Sequence, residues 1–340
     1  MIKVDVDERK WKKIKEEHSE WYSDNILPNI KNAYKFIKSQ KSKSYSMKKY
    51  LELLKKIIDK GKDFVIQKEL FLDYENKEID KIIKIMKKKN KKSKSILEIR
   101  FEELNISEEY LPNQLFCYKK LYKEGKWSRH KLLSLMGIEV CPYCQRNYIS
   151  SYGKKTTADL DHFYPKSLYP FLALSVYNFI PSCQVCNSRF KGYKDKGVSV
   201  YPYKESFDEL GVKFKTSKEV IYEILGEKDS DFSIEIDCKN IEDKEKENKV
   251  RKSIDNLGLD RVYEKSHNQY IQDLLYTIEK YPENYLEACG EMFENDNNKK
   301  KQLEEYFKDI VKEPYRKRIE NGEPLAKLTK DILEEFNIKI

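Results

Sequence analysis

No stretch of this 340-residue chain stays apolar for the ~18 residues that a membrane-spanning helix needs; the longest candidate run is residues 171–176. Residues 1–9 are charged and lack the apolar centre of a secretory leader. Neither a Walker-type phosphate loop nor a GxGxxG fingerprint is present, which excludes a recognisable nucleotide-hydrolysing engine. There is no internal repeat, which excludes a solenoid or other repeat array. Arginine is scarce, since most of the 67 basic residues are Lys. Genome base composition alone can produce that bias, so the net charge of +9 is weak evidence for a nucleic-acid partner. These absences lead us to expect a cytoplasmic protein with no membrane partner.

What is present is polar but able to fold. Hydrophobic residues make up 39% and charged residues 37%, and 25 Tyr and 15 Phe supply amphipathic rings for core building. The placement of charge says more than its total. Between Cys141 and Lys204 stand Arg146, Lys154, Lys155, Lys166, Arg189, Lys191, Lys194, Lys196 and Lys204, against only Asp159, Asp161 and Asp195. A local cationic field of this kind favours a phosphate-bearing partner, although a solvated lysine face is the plainer alternative.

Along the chain, residues 1–136 read as helical. Trp11, Ile14, His18 and Trp21 recur at helical steps, Pro28 interrupts or restarts the helix, and Ile30, Tyr34 and Ile37 continue the stripe. A second helix carries Tyr50, Leu53, Leu54, Ile57 and Ile58 up to Gly61, and a third carries Ile79, Ile82, Ile83 and Met86. Residues 87–94 are lysine-rich low complexity, read as a linker or a basic arm. Helical character returns from residue 106 to 136, and Gly137 closes it. Beyond Gly192, residues 198–201, 212–215, 220–224 and 232–236 alternate as short strands of a small antiparallel sheet. From residue 242 the chain reads as helical to its end, with loops at 295–300 and 321–322. His18 and His267 fall on apolar stripes and are expected to be packing residues, and Cys117, Cys238 and Cys289 to be small core residues.

The chemistry concentrates between Cys141 and Gly192. Cys141-Pro142-Tyr143-Cys144 and Cys183-Gln184-Val185-Cys186 are two Cys-x-x-Cys knuckles, separated by 38 residues. Each offers two sulfurs on one tight turn, and together they complete a tetrahedral zinc shell. Four thiolates leave no open position, so this zinc is expected to be structural. The insert between the knuckles reads as a strand over 156–162, ending in Asp161 and His162, and the second knuckle opens a helix with Asn187 on its first turn. Phosphodiester hydrolysis needs an activated water, charge neutralisation and help for the departing oxygen. His162 fits the base, and Asp161 with Asn187 fits an oxygen-ligated Mg²⁺ or Mn²⁺. An ideal strand points neighbours to opposite faces, so Asp161 and His162 require a twisted or bulged strand end, with Asp159 as a reserve ligand.

The Asp161-His162 pair, Asn178 and the Cys-x-x-Cys-Asn unit ending at Asn187 resemble, in order, the HNH endonuclease motif, whose fold is the ββα-metal finger. The resemblance covers residues 141–191. It implies His162 as general base, Asp161 and Asn187 as metal ligands, and Asn178 as the residue that props the base. Cys141, Cys144, Cys183 and Cys186 match the subgroup braced by zinc. Lys166, Arg189 and Lys191 are the expected phosphate contacts. Pro165-Lys166-Ser167 and Lys191-Gly192 also resemble HNH proteins of bacterial anti-phage operons, including the nuclease half of Septu-type systems, in which an ATPase subunit accompanies the nuclease.

The expected architecture is therefore α+β and mainly helical. A helical region spans 1–136, the zinc-braced nuclease core 137–204, a small antiparallel β element 205–240, and a second helical region 241–340. The helical flanks offer surface for a partner and for self-association. Double-stranded DNA is the expected substrate. A non-catalytic zinc-braced binding module, or a nuclease acting on RNA, is the competing reading.

Overall fold

Asp7 begins the first helix, its carboxylate accepting from the backbone N–H of Arg9 and Lys10 at 3.0 and 3.1 Å. An aspartate in this position satisfies donors that have no partner inside the helix. In the computed structural model this helix, α1, spans Glu8–Asn25, and the described residues are 1–43, 45–68, 106–122, 125–167, 169–192, 199–226, 232–280 and 297–340. The expectations for residues 79–86 and 87–94 and for Cys289 lie outside the described residues. The protein is mixed α and β, with helices dominant and, among the described residues, three two-stranded antiparallel sheets. Among the described residues, no helix is long and apolar enough to cross a membrane.

Two compact units make up the chain. One comprises Val4–Glu139 and Ile149–Asp195. In it, α1 buries Ile14, His18 and Tyr22 at four-residue steps. Pro28 restarts the chain as α2, Leu27–Ser39, where its missing N–H costs nothing. Helix α3, Tyr45–Lys60, buries Leu53, Leu54 and Ile57. His18 is fully buried with both ring nitrogens engaged: Nε2 on the Leu174 carbonyl at 2.7 Å, Nδ1 accepting from the Trp127 indole at 3.0 Å. Its role is packing, as its place on the apolar stripe indicates.

Burial lowers the His18 pKa to about 4. The unfolded chain takes up that proton near 6.5, so between these values the unfolded state binds more protons. Stability is therefore expected to fall as the pH drops from 6.5 towards 4, by up to about 3 kcal/mol from this residue. Urea titrations at pH 7 and 4.5 measure the slope, and His18→Gln should flatten it by His18's share.

The same unit carries two hairpins. Strands β1 (Ser151–Tyr152) and β2 (Lys155–Thr156) turn at Gly153, whose φ of +56° suits a residue without a side chain. Strands β3 (Ala158–His162) and β4 (Phe179–Cys183) pair antiparallel, from Ala158 opposite Cys183 to His162 opposite Phe179. A π-type helix, Val185–Lys191, follows β4 and ends at Gly192.

The other unit comprises Met1–Lys3, Val140–Tyr148 and Lys196–Ile340. Strands β5 (Lys213–Thr216) and β6 (Ile234–Asp237) alternate as expected, with Phe214 and Ile234 inward. Both pack with Ile271, Leu274 and Leu275 of helix Asn268–Glu279 and with Leu328 and Ile332 of helix Ala326–Glu335. The expected strand over 220–224 is instead a helix, Ile221–Leu225. Its apolar residues 221, 224 and 225 also satisfy the helical i, i+3, i+4 spacing, and so short a segment does not separate the two periods. Residues 199–201 form no strand, and Pro202 follows with no N–H to donate. The expected loop at 295–300 gives way to a helix at Asn297.

Candidate functional site

Each cysteine knuckle is a turn with its own backbone closure. The Gln145 N–H donates to the Cys141 carbonyl at 2.8 Å, and Gln145 adopts a left-handed φ of +52° to make the turn. Val140 bridges Tyr148 at the base of this turn. In the second knuckle the Cys186 N–H points at Cys183 Sγ, 3.5 Å away. A backbone donor of this kind disperses charge on a thiolate. The four sulfurs of Cys141, Cys144, Cys183 and Cys186 are buried and lie within 4.8 Å of one another. A zinc ion with ~2.3 Å arms needs sulfurs roughly 3.8 Å apart, so the donor set fits zinc after a small contraction. These four residues can hold a metal such as zinc, and they fill its shell.

The β3–β4 pairing carries the chain from Cys183 to the opposite end of the hairpin, where Asp161 and His162 stand. The loop between the strands is fixed by Asn178, which is fully buried. Its Oδ1 accepts from the Tyr164 N–H at 2.7 Å, and its Nδ2 donates to the carbonyls of Tyr164 and Leu172 at 3.1 and 3.0 Å. The next carbonyl after Leu172, that of Ala173, accepts from His162 Nε2 at 3.0 Å. Asn178 therefore fixes the loop that orients the His162 ring.

A proton on Nε2, donated to a carbonyl, makes Nδ1 the basic nitrogen. His162 is 8% exposed, in contrast to His18, whose two nitrogens are both engaged inside the core. Burial, then the nearby Lys166 charge, pushes the His162 pKa down to about 4, which keeps the imidazole neutral at pH 7. The Tyr118 ring stands edge-on to it at 4.6 Å and Phe179 at 5.3 Å, walling the ring on two sides.

The adjacent residues Asp161 and His162 engage different partners, as alternation along a strand requires. Asp161, 4% exposed, accepts the Lys191 ammonium, which also reaches the His162 carbonyl at 2.6 Å. Asn187 donates its Nδ2 to Asp159 Oδ2 at 2.9 Å, so its direct partner is the reserve ligand Asp159. That bond leaves the amide oxygen of Asn187 as its metal-capable atom.

Of the three expected phosphate contacts, Arg189 is exposed on the Val185–Lys191 helix. Lys166 is exposed too, with its ammonium 4.8 Å from the Tyr118 ring centroid. Lys191 departs from the expectation: it turns inward, because a buried carboxylate and a carbonyl together bind an ammonium better than solvent-facing space does. Sequence reasoning missed Tyr118, which lies inside the stretch 106–136 read only as helical, and the backbone carbonyl of Ala173, which carries no residue signature. His267, half-buried, accepts from Arg146 Nε at 2.7 Å and belongs to no metal-ligating group found among the described residues. Comparison with protein-family models, curated proteins and solved structures found no match to this chain.

Proposed function

We propose that this chain is a metal-dependent endonuclease of the HNH type, in which β3, β4 and the Val185–Lys191 helix form the ββα-metal finger and the four cysteines hold a structural zinc. The observation that carries this reading is the His162 ring: neutral, tethered through Nε2 to Ala173, and next in sequence to a buried carboxylate.

The residues fit a hard divalent ion. Asp161 already binds a cation, and the amide oxygen of Asn187, whose Nδ2 bonds Asp159, would be the second donor. Mg²⁺ or Mn²⁺ held there would supply charge neutralisation at the phosphate and at the departing oxygen. His162 Nδ1 takes a proton from water as the water oxygen bonds to phosphorus. The bond from phosphorus to the 3′ oxygen breaks, and that oxygen is protonated by solvent. Asn178 holds the Ala173 loop so that His162 keeps its tautomer through turnover. Lys166 and Arg189 supply exposed positive charge for the nucleic-acid backbone.

Double-stranded DNA is the substrate class this reading favours. The likeness of residues 165–167 and 191–192 to anti-phage HNH proteins extends it to a defence effector paired with an ATPase subunit. The test is incubation with supercoiled plasmid, and separately with RNA, with and without Mg²⁺ or Mn²⁺. Cleavage that requires the ion and is lost in His162→Ala is the expected result. Metal-independent binding with no cleavage of either polymer would replace the reading with a binding module.

A further inference from the structure

A nearly buried ion pair at the end of the hairpin is one that catalysis as outlined above does not use. Lys191 places its ammonium on Asp161 Oδ2, with only 15% and 6% of the two side chains exposed. The same nitrogen donates to the His162 carbonyl at 2.6 Å, and the Phe163 ring centroid lies 5.9 Å away. The carboxylate that the proposed reaction assigns to a divalent ion is thus already neutralised by the protein's own cation.

We propose that Lys191 gates the ion site: its ammonium must leave Asp161 before a divalent cation can bind there. This rests on the nuclease reading for the site's purpose, while the gate itself rests on the contacts just described. Two cations in contact with one buried carboxylate repel strongly, because little water screens them, so occupancy is exclusive. Displacement is feasible for this side chain. Lysine carries a point charge on a flexible four-carbon stem, and Lys191 is the last residue of its helix. Gly192 follows with φ +57°, and a side chain added there would meet nothing within 4 Å.

The displaced ammonium needs a new counter-charge, and it stays tethered beside Asp161 and His162. A nucleic-acid phosphate supplies that charge. The gate therefore couples the two ligands: divalent ions bind weakly to the protein alone and more tightly once a polynucleotide is present. Linkage requires the converse, that the ion strengthens polynucleotide binding by the same factor.

The test is a Mn²⁺ titration of the zinc-loaded full-length protein without nucleic acid, read from the electron paramagnetic resonance signal of free Mn²⁺. Lys191→Met is expected to tighten Mn²⁺ binding by about tenfold or more, within the range of coupled sites. Lys191→Arg keeps the charge and should retain the weak affinity of the wild type, and Asp161→Asn should abolish the site in either background. Should Lys191→Met not fold, Lys191→Gln makes the same comparison. Equal or weaker Mn²⁺ affinity in the neutral variant overturns the gate and leaves the nuclease reading standing, as does tightening that survives Asp161→Asn. Tightened binding in a protein that cleaves no nucleic acid keeps the gate and overturns the nuclease reading.

Discussion

Cys183→Ser is expected to lose the metal and most of the protein's thermal stability together. The four sulfurs are buried, within 4.8 Å of one another, and the Cys183 sulfur also receives the Cys186 N–H. Without an ion these are four buried thiols crowded together, and with one they become a closed shell. Structural zinc sites in small peptides couple on the order of 10 kcal/mol of metal binding to folding. That is comparable with the whole stability of an ordinary domain. Wild-type protein should therefore purify with one zinc per chain, and the variant with little. Chelation of the wild type should lower its melting temperature as the substitution does. Calorimetry with and without chelator, alongside elemental analysis, measures both. The substitution acts through Cys183, which pairs with Ala158 in the β3–β4 register, so the hairpin carrying Asp161 and His162 should loosen first.

The second large effect belongs to His162. His162→Ala is expected to lower the turnover number for cleavage by about 10²–10⁴-fold, the usual contribution of a positioned general base. The ring is bounded by Tyr118 and Phe179 and tied to the Ala173 carbonyl. Its loss leaves a small cavity and one unpaired carbonyl, so some stability is lost as well. His162→Asn, which keeps a donor for Ala173, separates the two effects. It should recover much of the stability and none of the rate. Substrate affinity should change little in either variant, because His162 is nearly buried while Lys166 and Arg189 are exposed. Steady-state kinetics on plasmid or oligonucleotide, with melting curves of the same preparations, distinguish loss of chemistry from loss of fold.

The parts of this site that sequence made legible are those written in local spacing. Cys-x-x-Cys is a turn with two ligands whatever surrounds it, so the four-sulfur cluster was readable although 38 residues separate the knuckles. The strand carrying Asp161 and His162 and the helix after Cys186 were readable for the same reason. The contacts to His162 were not. Tyr118 reaches His162 from far upstream, and helical periodicity marks a residue as buried without saying against what. The Ala173 carbonyl is a main-chain atom placed by Asn178. Lys191 misled because a lysine in a basic stretch reads as a surface charge, and only folding brings it to Asp161. In the β5–β6 region the apolar residues of 220–224 fit both periods, and packing of Ile224 into the core settled the segment as a helix.

The central claim is that one chain holds two chemically different ions, a soft-ligand zinc and a hard-ligand divalent cation beside a neutral histidine. Anomalous diffraction from crystals soaked in Mn²⁺, recorded at the zinc and manganese edges, tests it most directly. The account requires a zinc peak enclosed by Cys141, Cys144, Cys183 and Cys186, and a manganese peak bound by the oxygens of Asp161 and Asn187 with Lys191 turned away. Zinc missing from the sulfur cluster, or manganese bound elsewhere while Lys191 stays on Asp161 at saturating ion, would contradict it.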